Sequence, residues 1–199
     1  MGKVIADHSV SLDGFGAGPN VRIGNGMGDG GEQLHEWMFR EVGRTEQAGN
    51  AVEGPQELIA GAGAVVVGRR MFDLGEEPWG DPPPFHNNPV FVVTHRPKEP
   101  VVKQGGTTHT FVTEGLDATF AGAREAAAGR DVVVLGGADV IQQCLKGGFL
   151  DEFHIHLAHV LLGGGTRLFA NLDAASARFE RTRVIDAEGV THLRFRLVK

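Results

Sequence analysis

Residues 132–141 constrain the fold more than any other stretch of this chain, because they place a buried strand directly before a helix. The sequence there is Val-Val-Val-Leu-Gly-Gly-Ala-Asp-Val-Ile. Four consecutive apolar residues, three of them β-branched, are typical of a strand that is covered on both faces. Helix-forming residues with apolar side chains at helical spacing continue to Lys146. We therefore expect a strand, a turn at Gly136 and Gly137, and a helix.

The paired glycines are compatible with a phosphate-binding turn. Glycine has no Cβ, so a ligand can approach the backbone closely. The helix that follows directs unpaired N–H groups and the positive end of its dipole toward the same place. For Gly136 and Gly137 alone, a tight turn without a ligand is the simpler interpretation, and the neighbouring strand ends must decide between the two.

Two other predicted strands end in cationic or hydroxyl side chains. Residues 64–68 lead into Gly68, Arg69 and Arg70, and residues 90–94 end with Thr94, which is followed by His95 and Arg96. The carboxyl ends of parallel strands lie along one edge of a sheet, where ligands of such sheets bind. We expect the three strand ends to converge on one extended anion, which favours a dinucleotide.

The order of predicted elements indicates an α/β sandwich, mainly parallel, with antiparallel C-terminal strands. The predicted helices cover residues 32–42, 55–60, 68–73, 117–129 and 138–146. Strands are expected at residues 3–10, 64–68, 90–94, 110–113, 132–135, 149–162, 179–185 and 190–198. Two loops are predicted: a glycine-rich segment at residues 20–31, which suits a mobile loop or lid, and a polar segment at residues 43–54.

Composition sets the limits within which a function must be found. The chain has 199 residues, is 41% hydrophobic and carries a net charge of −6, so we expect one soluble domain over residues 1–199. There is no basic patch to indicate a nucleic acid partner, and no apolar run long enough for a membrane span. The first residues lead into a strand and not a signal peptide, which indicates a cytoplasmic protein. Cys144, the only cysteine, is expected to be an inert core thiol.

Other polar residues leave alternatives open. On a strand, His154 and His156 share one face and His159 the other. No carboxylate or cysteine in the sequence obviously completes a metal site, so a structural or solvent-facing role is favoured and no metal is predicted. It stays open whether one of these histidines borders the substrate pocket. Asp13 suits either a turn or a carboxylate facing the substrate.

Five motifs, taken together, resemble the dihydrofolate-reductase-like superfamily. They are residues 11–15 (SLDGF), 67–72 (VGRRMF), 132–141 (VVVLGGADVI), 150–154 (LDEFH) and 161–169 (LLGGGTRLF). In order and spacing they are most similar to the C-terminal reductase domain of the riboflavin-biosynthesis deaminase-reductase, RibD. The resemblance implies a three-layer α/β/α sandwich. It also implies an NADPH-dependent reductase that transfers a hydride to an imine-like or heterocyclic small molecule, as in 5-amino-6-(5-phosphoribosylamino)uracil reduction.

The resemblance also implies where NADPH and substrate bind. The pyrophosphate would lie at Gly136, Gly137, Ala138, Asp139 and Val140, the phosphates near Gly68, Arg69 and Arg70, and the adenosine 2′-phosphate near Thr94, His95 and Arg96. Substrate contacts are expected from Ser11, Asp13 and Arg167, with Asp13 also a catalytic candidate. A homodimer through the C-terminal strands is implied as well. The residues themselves favour NADPH over NADH, because guanidinium groups bind phosphate in a bidentate fork.

Two features depart from the superfamily. Dihydrofolate reductases carry a carboxylate on the first helix, but Leu34 stands three residues before Trp37, and Glu32, His35 and Glu36 are out of phase. A folate substrate is therefore disfavoured, although a shift of one residue would restore it. The cysteines of a zinc deaminase are missing. The alternatives are an orphan or dihydrofolate-type reductase, or a ligand-binding member without turnover. No general acid is evident, so water would supply the proton.

Overall fold

Runs of buried β-branched residues form the centre of a mixed, mostly parallel sheet. The structure, a computed structural model, describes residues 2–41, 55–173 and 177–198, and within them the main sheet has nine strands. A separate two-stranded sheet pairs β2 with β9. The strands are β1 (Val4–Ser11), β2 (Phe15–Ala17), β3 (Ala64–Gly68), β4 (Val90–Val93), β5 (Val101–Val102), β6 (Thr108–Val112), β7 (Val132–Gly136), β8 (Glu152–Ala158), β9 (Thr166–Arg167), β10 (Phe179–Ala187) and β11 (Val190–Leu197).

Helices cover both faces of the sheet. They are α1 (Glu36–Glu41), α2 (Pro55–Gly61), α3 (Arg69–Gly75), α4 (Leu116–Ala127) and α5 (Ala138–Lys146), with short 3-10 turns at Gly31–Leu34 and Gln104–Gly106. Apolar residues of α4 and α5 pack on one face, and those of α2 and α3 pack on the other. Among the described residues no helix has the length and apolar character of a membrane span. The result is the predicted three-layer α/β/α sandwich.

The strand order is β10-β11-β8-β1-β7-β3-β4-β6-β5. The strands from β8 to β6 run parallel, while β11 is antiparallel to β8 and pairs with β10 as a hairpin. This confirms the predicted antiparallel C-terminal strands. It also places the carboxyl ends of β7, β3 and β4 next to one another, as the sequence predicts.

A gap opens between β1 and β7 at their carboxyl ends. The pairing of the two strands ends at Ala6 and Val134, whereas β1 remains paired with β8 as far as Ser11 and Ala158. Chain connections diverge here as well: β1 leads through α1 and α2 to β3 on one side, and β7 leads through α5 to β8 on the other. Such a topological switch point is where open α/β sheets bind ligands.

Most predicted elements agree with the structure to within a few residues. The predicted helix at residues 32–42 is broken at His35, between the 3-10 turn and α1, and its last residue, Val42, lies outside the described residues, as does the predicted loop at 43–54. The predicted strand at 149–162 was too long, because β8 spans only Glu152–Ala158. The short strands β2, β5 and β9 were not predicted, since two or three residues carry no recognisable period.

Candidate active site

The β7–α5 junction packs closely against the end of β3. Gly137 precedes the first turn of α5, and a cis peptide bond joins it to Gly136. A Cβ on Gly68 would lie 2.9 Å from Cγ2 of Val140, so only glycine lets β3 approach the helix this closely. A Cβ on Gly137 would meet nothing within 4 Å. Open space therefore lies beside the backbone at the start of α5, where an anion would be stabilised.

The arginines that follow β3 and β4 meet at the same edge of the sheet. Arg69 Nε donates to Asp73 Oδ1 at 2.7 Å, and Arg96 NH2 donates to Asp73 Oδ2 at 2.8 Å. Arg69 also donates to the backbone oxygen of Arg96 at 3.2 Å. One carboxylate thus holds two guanidinium groups side by side, and the trio keeps a net positive charge.

The loop that follows β4 is shaped by Thr94. The Arg96 backbone N–H donates to the Thr94 hydroxyl at 3.0 Å, and Thr94 itself is buried. His95 and Arg96 are exposed at the tip of this loop. The structure therefore gives Arg96 access to a ligand, whereas the Thr94 hydroxyl already stabilises the turn.

Arg70 points away from Arg69 and Arg96. Its NH2 donates to the backbone oxygen of Val21 at 3.1 Å, in the glycine-rich loop. That loop is folded on itself, with the Asp29 carboxylate accepting from Asn20 at 2.7 Å and from Asn25 at 2.8 Å. Arg70 therefore joins α3 to this loop, and the structure does not group it with the other two arginines.

His8 borders the gap between β1 and β7. A Cβ on Gly16 would come within 2.7 Å of His8 Nε2, and one on Gly136 within 3.5 Å of the same ring. The ring hydrogen-bonds to the backbone of Leu135. Burial lowers the pKa of His8, against the opposing effect of the Asp7 charge, so a neutral imidazole lies next to the Gly136–Gly137 turn.

Asp13 fastens the loop after β1 to the loop after β8. Its carboxylate accepts from the Ser11 hydroxyl at 2.6 Å, from the Leu162 N–H at 3.1 Å and from the Gly163 N–H at 2.7 Å. The hydrogen bond from Ser11 is the main reason that the pKa of Asp13 falls to about 2, with those from Gly163 and Leu162 adding to it. The geometry favours the turn interpretation, since a carboxylate in this state has no proton to donate near neutral pH.

Ser11 and Arg167 belong to the same pair of loops. The Ser11 hydroxyl accepts from the Phe15 N–H at 3.0 Å while it donates to Asp13. The Arg167 guanidinium lies 4.5 Å from the centroid of the Phe15 ring and is exposed. Of the predicted substrate residues, Arg167 therefore has a charged group within reach of solvent, and Ser11 is committed to the turn.

A buried polar array lies on the α1 side of β1, β8 and β11. Asp7 Oδ2 is 3.0 Å from His156 Nε2, and His156 Nδ1 is 2.7 Å from His192 Nδ1. The three residues are 5%, 3% and 2% exposed. Trp37 covers the pair of imidazoles, with ring centroids 4.7 Å from His156 and 4.9 Å from His192. We call Asp7, His156 and His192 the buried array.

Two further histidines flank the buried array. His154 Nδ1 is 3.9 Å from Asp7 Oδ2, and its buried Nε2 is 3.5 Å from Glu152 Oε2. Burial lowers the pKa of His154, and it lowers that of His35 to about 4. The Nδ1 of His35 is buried without a hydrogen-bond partner, which is uncommon for a ring nitrogen.

Asp7 stays ionised because its neighbours outweigh its burial. Burial raises the pKa of Asp7. The charge and hydrogen bond of His156 and the charge of His154 lower it by more, so the pKa of Asp7 lies below its usual value. Of the two roles predicted for the strand histidines, the structural one describes His154 and His156, which are buried, and the solvent-facing one describes His159; the sequence did not indicate that Asp7 lies beside them. Asp7 is 149 residues from His156, and only the strand order brings the two together.

The alternation of side chains along the strands contained a signal for the buried array. The side chains of four polar residues lie on the same face of the sheet: Asp7 on β1, His154 and His156 on β8, and His192 on β11. The strand register pairs Asp7 with His154 and His192 with His156. Polar residues at inward positions of three strands would have indicated a polar site. Among the described residues, no group of three or more His, Cys, Asp or Glu side chains is placed to hold a metal ion.

The first helix carries no buried carboxylate among its described side chains. Leu34 is fully buried, Trp37 packs beside it, and Glu32 and Glu36 are exposed. The ionised carboxylate on this side of the sheet comes from Asp7 of β1 instead. Cys144 is a buried core thiol whose pKa burial raises to about 12, which agrees with the inert role predicted for it.

Comparisons with known proteins bear on the family and the fold. The family model described as the RibD C-terminal domain matches residues 2–193. A search of curated proteins found no match. A Shewanella sp. PV-4 structure with a provisional riboflavin-biosynthesis name superposes with a TM-score of 0.72 at 23% identity, over 99% of both chains.

Two other solved structures share the fold at lower identity. The deaminase/5-amino-6-(5-phosphoribosylamino)uracil reductase of Thermotoga maritima gives a TM-score of 0.64 at 15% identity, and the match covers 99% of this chain but 57% of that one. Dihydrofolate reductase from Enterococcus faecalis, complexed with NADP(H), gives 0.54 at 14% identity, over 99% and 97% of the two chains. At these identities the likeness shows the fold.

Proposed function

We propose a function that proceeds from the family: this chain belongs to the RibD C-terminal domain family, whose model matches residues 2–193. We infer that residues 1–199 form one NADPH-dependent reductase domain that acts on a small molecule with an imine-like or heterocyclic C=N bond. The observation that carries the proposal is the alignment of three adjacent strand ends, those of β7, β3 and β4. Together they offer the backbone N–H groups at Gly136 and Gly137, which have no Cβ, and the two clustered guanidinium groups of Arg69 and Arg96.

The residues present fit a dinucleotide phosphate. The open space beside Gly137 suits a pyrophosphate at the start of α5, with Gly136, Ala138, Asp139 and Val140 around it. Asp139 is drawn toward its own helix by Gln143, which donates to it at 2.8 Å. Arg69 and Arg96 suit the phosphates farther along the edge, with Arg96 placed for a 2′-phosphate. When bound, NADPH would supply a hydride from its nicotinamide.

The proposed substrate is 5-amino-6-(5-phosphoribosylamino)uracil, the compound on which the reductase activity of the Thermotoga maritima relative acts. Arg167 is exposed, its NH1 donates to the backbone oxygen of Asp13 at 3.5 Å in the loop after β1, and it suits the ribose phosphate. Lys3 is not placed for this role, because it lies at the opposite end of β1 and pairs with Glu152 at 2.6 Å.

Calorimetric titration with NADPH and NADH tests the cofactor. We expect both to bind and NADPH to bind more tightly; failure of both to bind would overturn the proposal. Addition of the ribosylaminouracil phosphate to the NADPH complex should then cause loss of nicotinamide absorbance and yield the ribitylamino product. Binding of NADPH without turnover of this compound would exclude it as the substrate.

We further propose a cytoplasmic homodimer formed through the C-terminal hairpin. Strand β10 lies at the edge of the sheet and carries exposed Phe179 and Val184. Light scattering after size-exclusion chromatography should give twice the 21.2 kDa mass of the chain. A monomeric mass at micromolar concentration would contradict this assembly.

A further inference from the structure

The side chain of Gln142 joins helix α5 to strand β9. Its Nε2 donates to the backbone oxygen of Arg167 at 3.2 Å and to that of Leu168 at 3.0 Å. Both partners are carbonyl groups, which only accept hydrogen bonds, so the amide must direct its NH₂ group toward them. Gln142 is 6% exposed. Two bonds from one buried side chain to consecutive residues fix the position of that segment relative to α5.

Strand β9 is short, so these bonds matter for its position. It comprises only Thr166 and Arg167, both exposed, and it pairs with β2 in a sheet of two strands. A two-stranded pair is marginally stable by itself. After β9, the Leu168 N–H donates to the Gly14 oxygen at 3.1 Å. The bonds from Gln142 attach this segment to a helix whose apolar residues pack on the main sheet.

The Arg167 side chain extends from this segment toward the loop after β1. Its NH1 donates to the Asp13 backbone oxygen at 3.5 Å, and its guanidinium lies 4.5 Å from the centroid of the Phe15 ring. A guanidinium has five N–H donors, and Arg167 is exposed. The group can therefore bind an anion from solvent while its backbone stays attached to Gln142.

Helix α5 supports both parts of the proposed site. It starts directly after Gly137, where the cofactor pyrophosphate is proposed to bind, and Gln142 is the fifth of its nine residues. One turn of helix thus separates the phosphate-binding end from the side chain that holds Arg167. The distance between the two ligand-binding elements is set by a single regular element.

We propose that Gln142 is a positioning residue that gives the site its preference for a substrate with a phosphate group. It acts through Arg167 and does not contact the substrate. The inference rests on the proposed reductase function, in which Arg167 binds the ribose phosphate. With Gln142 in place the guanidinium is ordered before the substrate arrives, so less conformational freedom is lost on binding. Removal of Gln142 affects substrate affinity, and leaves the hydride step and NADPH binding intact.

Gln142→Glu is the variant that tests this most directly. The carboxylate has the shape of the amide but, when ionised, no donor, and its charge would repel the two carbonyl oxygens. Gln142→Met removes the donors without adding a charge, which keeps the test informative if the glutamate variant does not fold. Gln33→Glu is the matched control, since Gln33 is exposed and its Nε2 donates to the Gly30 backbone oxygen at 3.1 Å.

The first arm of the test uses the protein without ligands. In NMR spectra of the wild type and of Gln33→Glu, the ring current of Phe15 should shift the side-chain signals of Arg167. In Gln142→Glu and Gln142→Met these signals should move to the positions of a mobile, solvated arginine. Unchanged Arg167 signals in both variants would overturn the proposal, because Gln142 would then not position Arg167.

The second arm measures steady-state reduction of the ribosylaminouracil phosphate, and of the same compound without its phosphate, at saturating NADPH. Gln142→Glu should raise KM for the phosphorylated compound about tenfold, with kcat and the NADPH Kd nearly unchanged. KM for the compound without phosphate should stay at its wild-type value. Arg167→Ala should act in the same way. The double variant should be no worse than Arg167→Ala alone, because both residues act through one contact.

The outcomes separate the role of Gln142 from the proposed function. Equal rises in KM for the two compounds, or additive effects in the double variant, would overturn that role even in an active enzyme. A wild-type protein that turns over neither compound contradicts the proposed substrate. Calorimetric titration with ribose 5-phosphate then replaces KM: weaker binding in Gln142→Glu than in the wild type still supports the proposal, and equal or absent binding in both overturns it.

Discussion

The two sides of the gap between β1 and β7 are built by different means. On the β7 side, glycines and arginines at strand ends shape a surface of backbone N–H groups and cations, in which Arg96 is exposed and Gly137 and Arg69 are partly exposed. On the β1 side, Asp7, His156 and His192 are buried and bonded to one another under Trp37. The first side suits a charged ligand held by its phosphates, whereas on the second side the ionised carboxylate of Asp7 is bonded to His156 inside the protein. The contrast indicates that cations at the edge of the sheet are available to a ligand, while the charge behind β1 is already paired within the fold.

Substitution of Gly68 should have the largest effect and should affect the β7 side alone. In Gly68→Val the new side chain would enter the space of Val140, because a Cβ there is already 2.9 Å from Cγ2. We expect the unfolding free energy to fall by about 1–3 kcal/mol. Displacement of the Gly136–Gly137 turn should remove charge-assisted hydrogen bonds and weaken NADPH by roughly 100-fold.

The control for that change is Gly61→Val, at a position where a Cβ would meet nothing within 4 Å. Denaturant unfolding and calorimetric titration measure both quantities. Equal losses in the two variants would mean that the close approach of β3 to α5 has no part in cofactor binding.

The β1 side should control how stability depends on pH. Burial lowers the pKa of His35 from 6.5 to about 4. Between these two pH values the His35 ring binds a proton in the unfolded chain but not in the folded chain. Stability from this residue is complete above pH 6.5 and declines as the pH falls toward 4. His35→Gln should reduce that decline by about 2 kcal/mol, after an allowance for partial solvent exposure.

Urea unfolding at several pH values measures this effect, with His159→Gln as the control. A decline that is unchanged in His35→Gln would show that His35 is protonated equally in the folded and unfolded chains.

Arg96→Ala sharpens the assignment of the exposed phosphate contact. Loss of one guanidinium should weaken NADPH about tenfold and leave NADH nearly unchanged, because the two differ only in the 2′-phosphate. Paired titrations of each variant with both nucleotides measure the ratio. Arg70→Ala is the matched control, since Arg70 bonds to Val21, and equal weakening of both nucleotides by Arg96→Ala would refute the assignment.

Asp13→Asn should have the smallest effect of the four. It removes the carboxylate that joins the loop after β1 to Leu162 and Gly163, so amide hydrogen exchange at those two residues should accelerate. NADPH affinity should stay near the wild-type value. A large loss of turnover without faster exchange would instead support the catalytic role considered for Asp13.

The sequence predicted the fold well wherever one segment contains the whole signal. Residues 132–141 hold a strand, a turn and a helix start in ten positions, and β7 and α5 begin where predicted. Gly68 and Arg96 could be found in the same way, as the ends of apolar runs. The strand β8 was placed correctly but extended too far, because its apolar pattern continues after the pairing with β1 ends at Ala158.

The buried array could not be predicted from single segments. Asp7, His156 and His192 belong to three strands, and their contacts follow from the order β11-β8-β1, which no local pattern specifies. His154 and His156 were correctly placed on one face. The sequence did not show that Asp7 lies beside them, so their interaction with a carboxylate could not be inferred. The separation of Arg70 from Arg69 could not be predicted for a related reason. The Arg70 side chain donates to the Val21 carbonyl, which belongs to the glycine-rich loop.

The early end of the β1–β7 pairing has a consequence for solubility as well as binding. Beyond Ala6, β1 has a strand partner on one side only, so a segment with the properties of an edge strand lies in the middle of the sheet. Edge strands invite pairing with other chains. In this protein Ser9, Val10 and Ser11 of that segment are buried, and the His8 ring lies against Gly136. The fold thereby interrupts its sheet without presenting an unpaired strand to other chains.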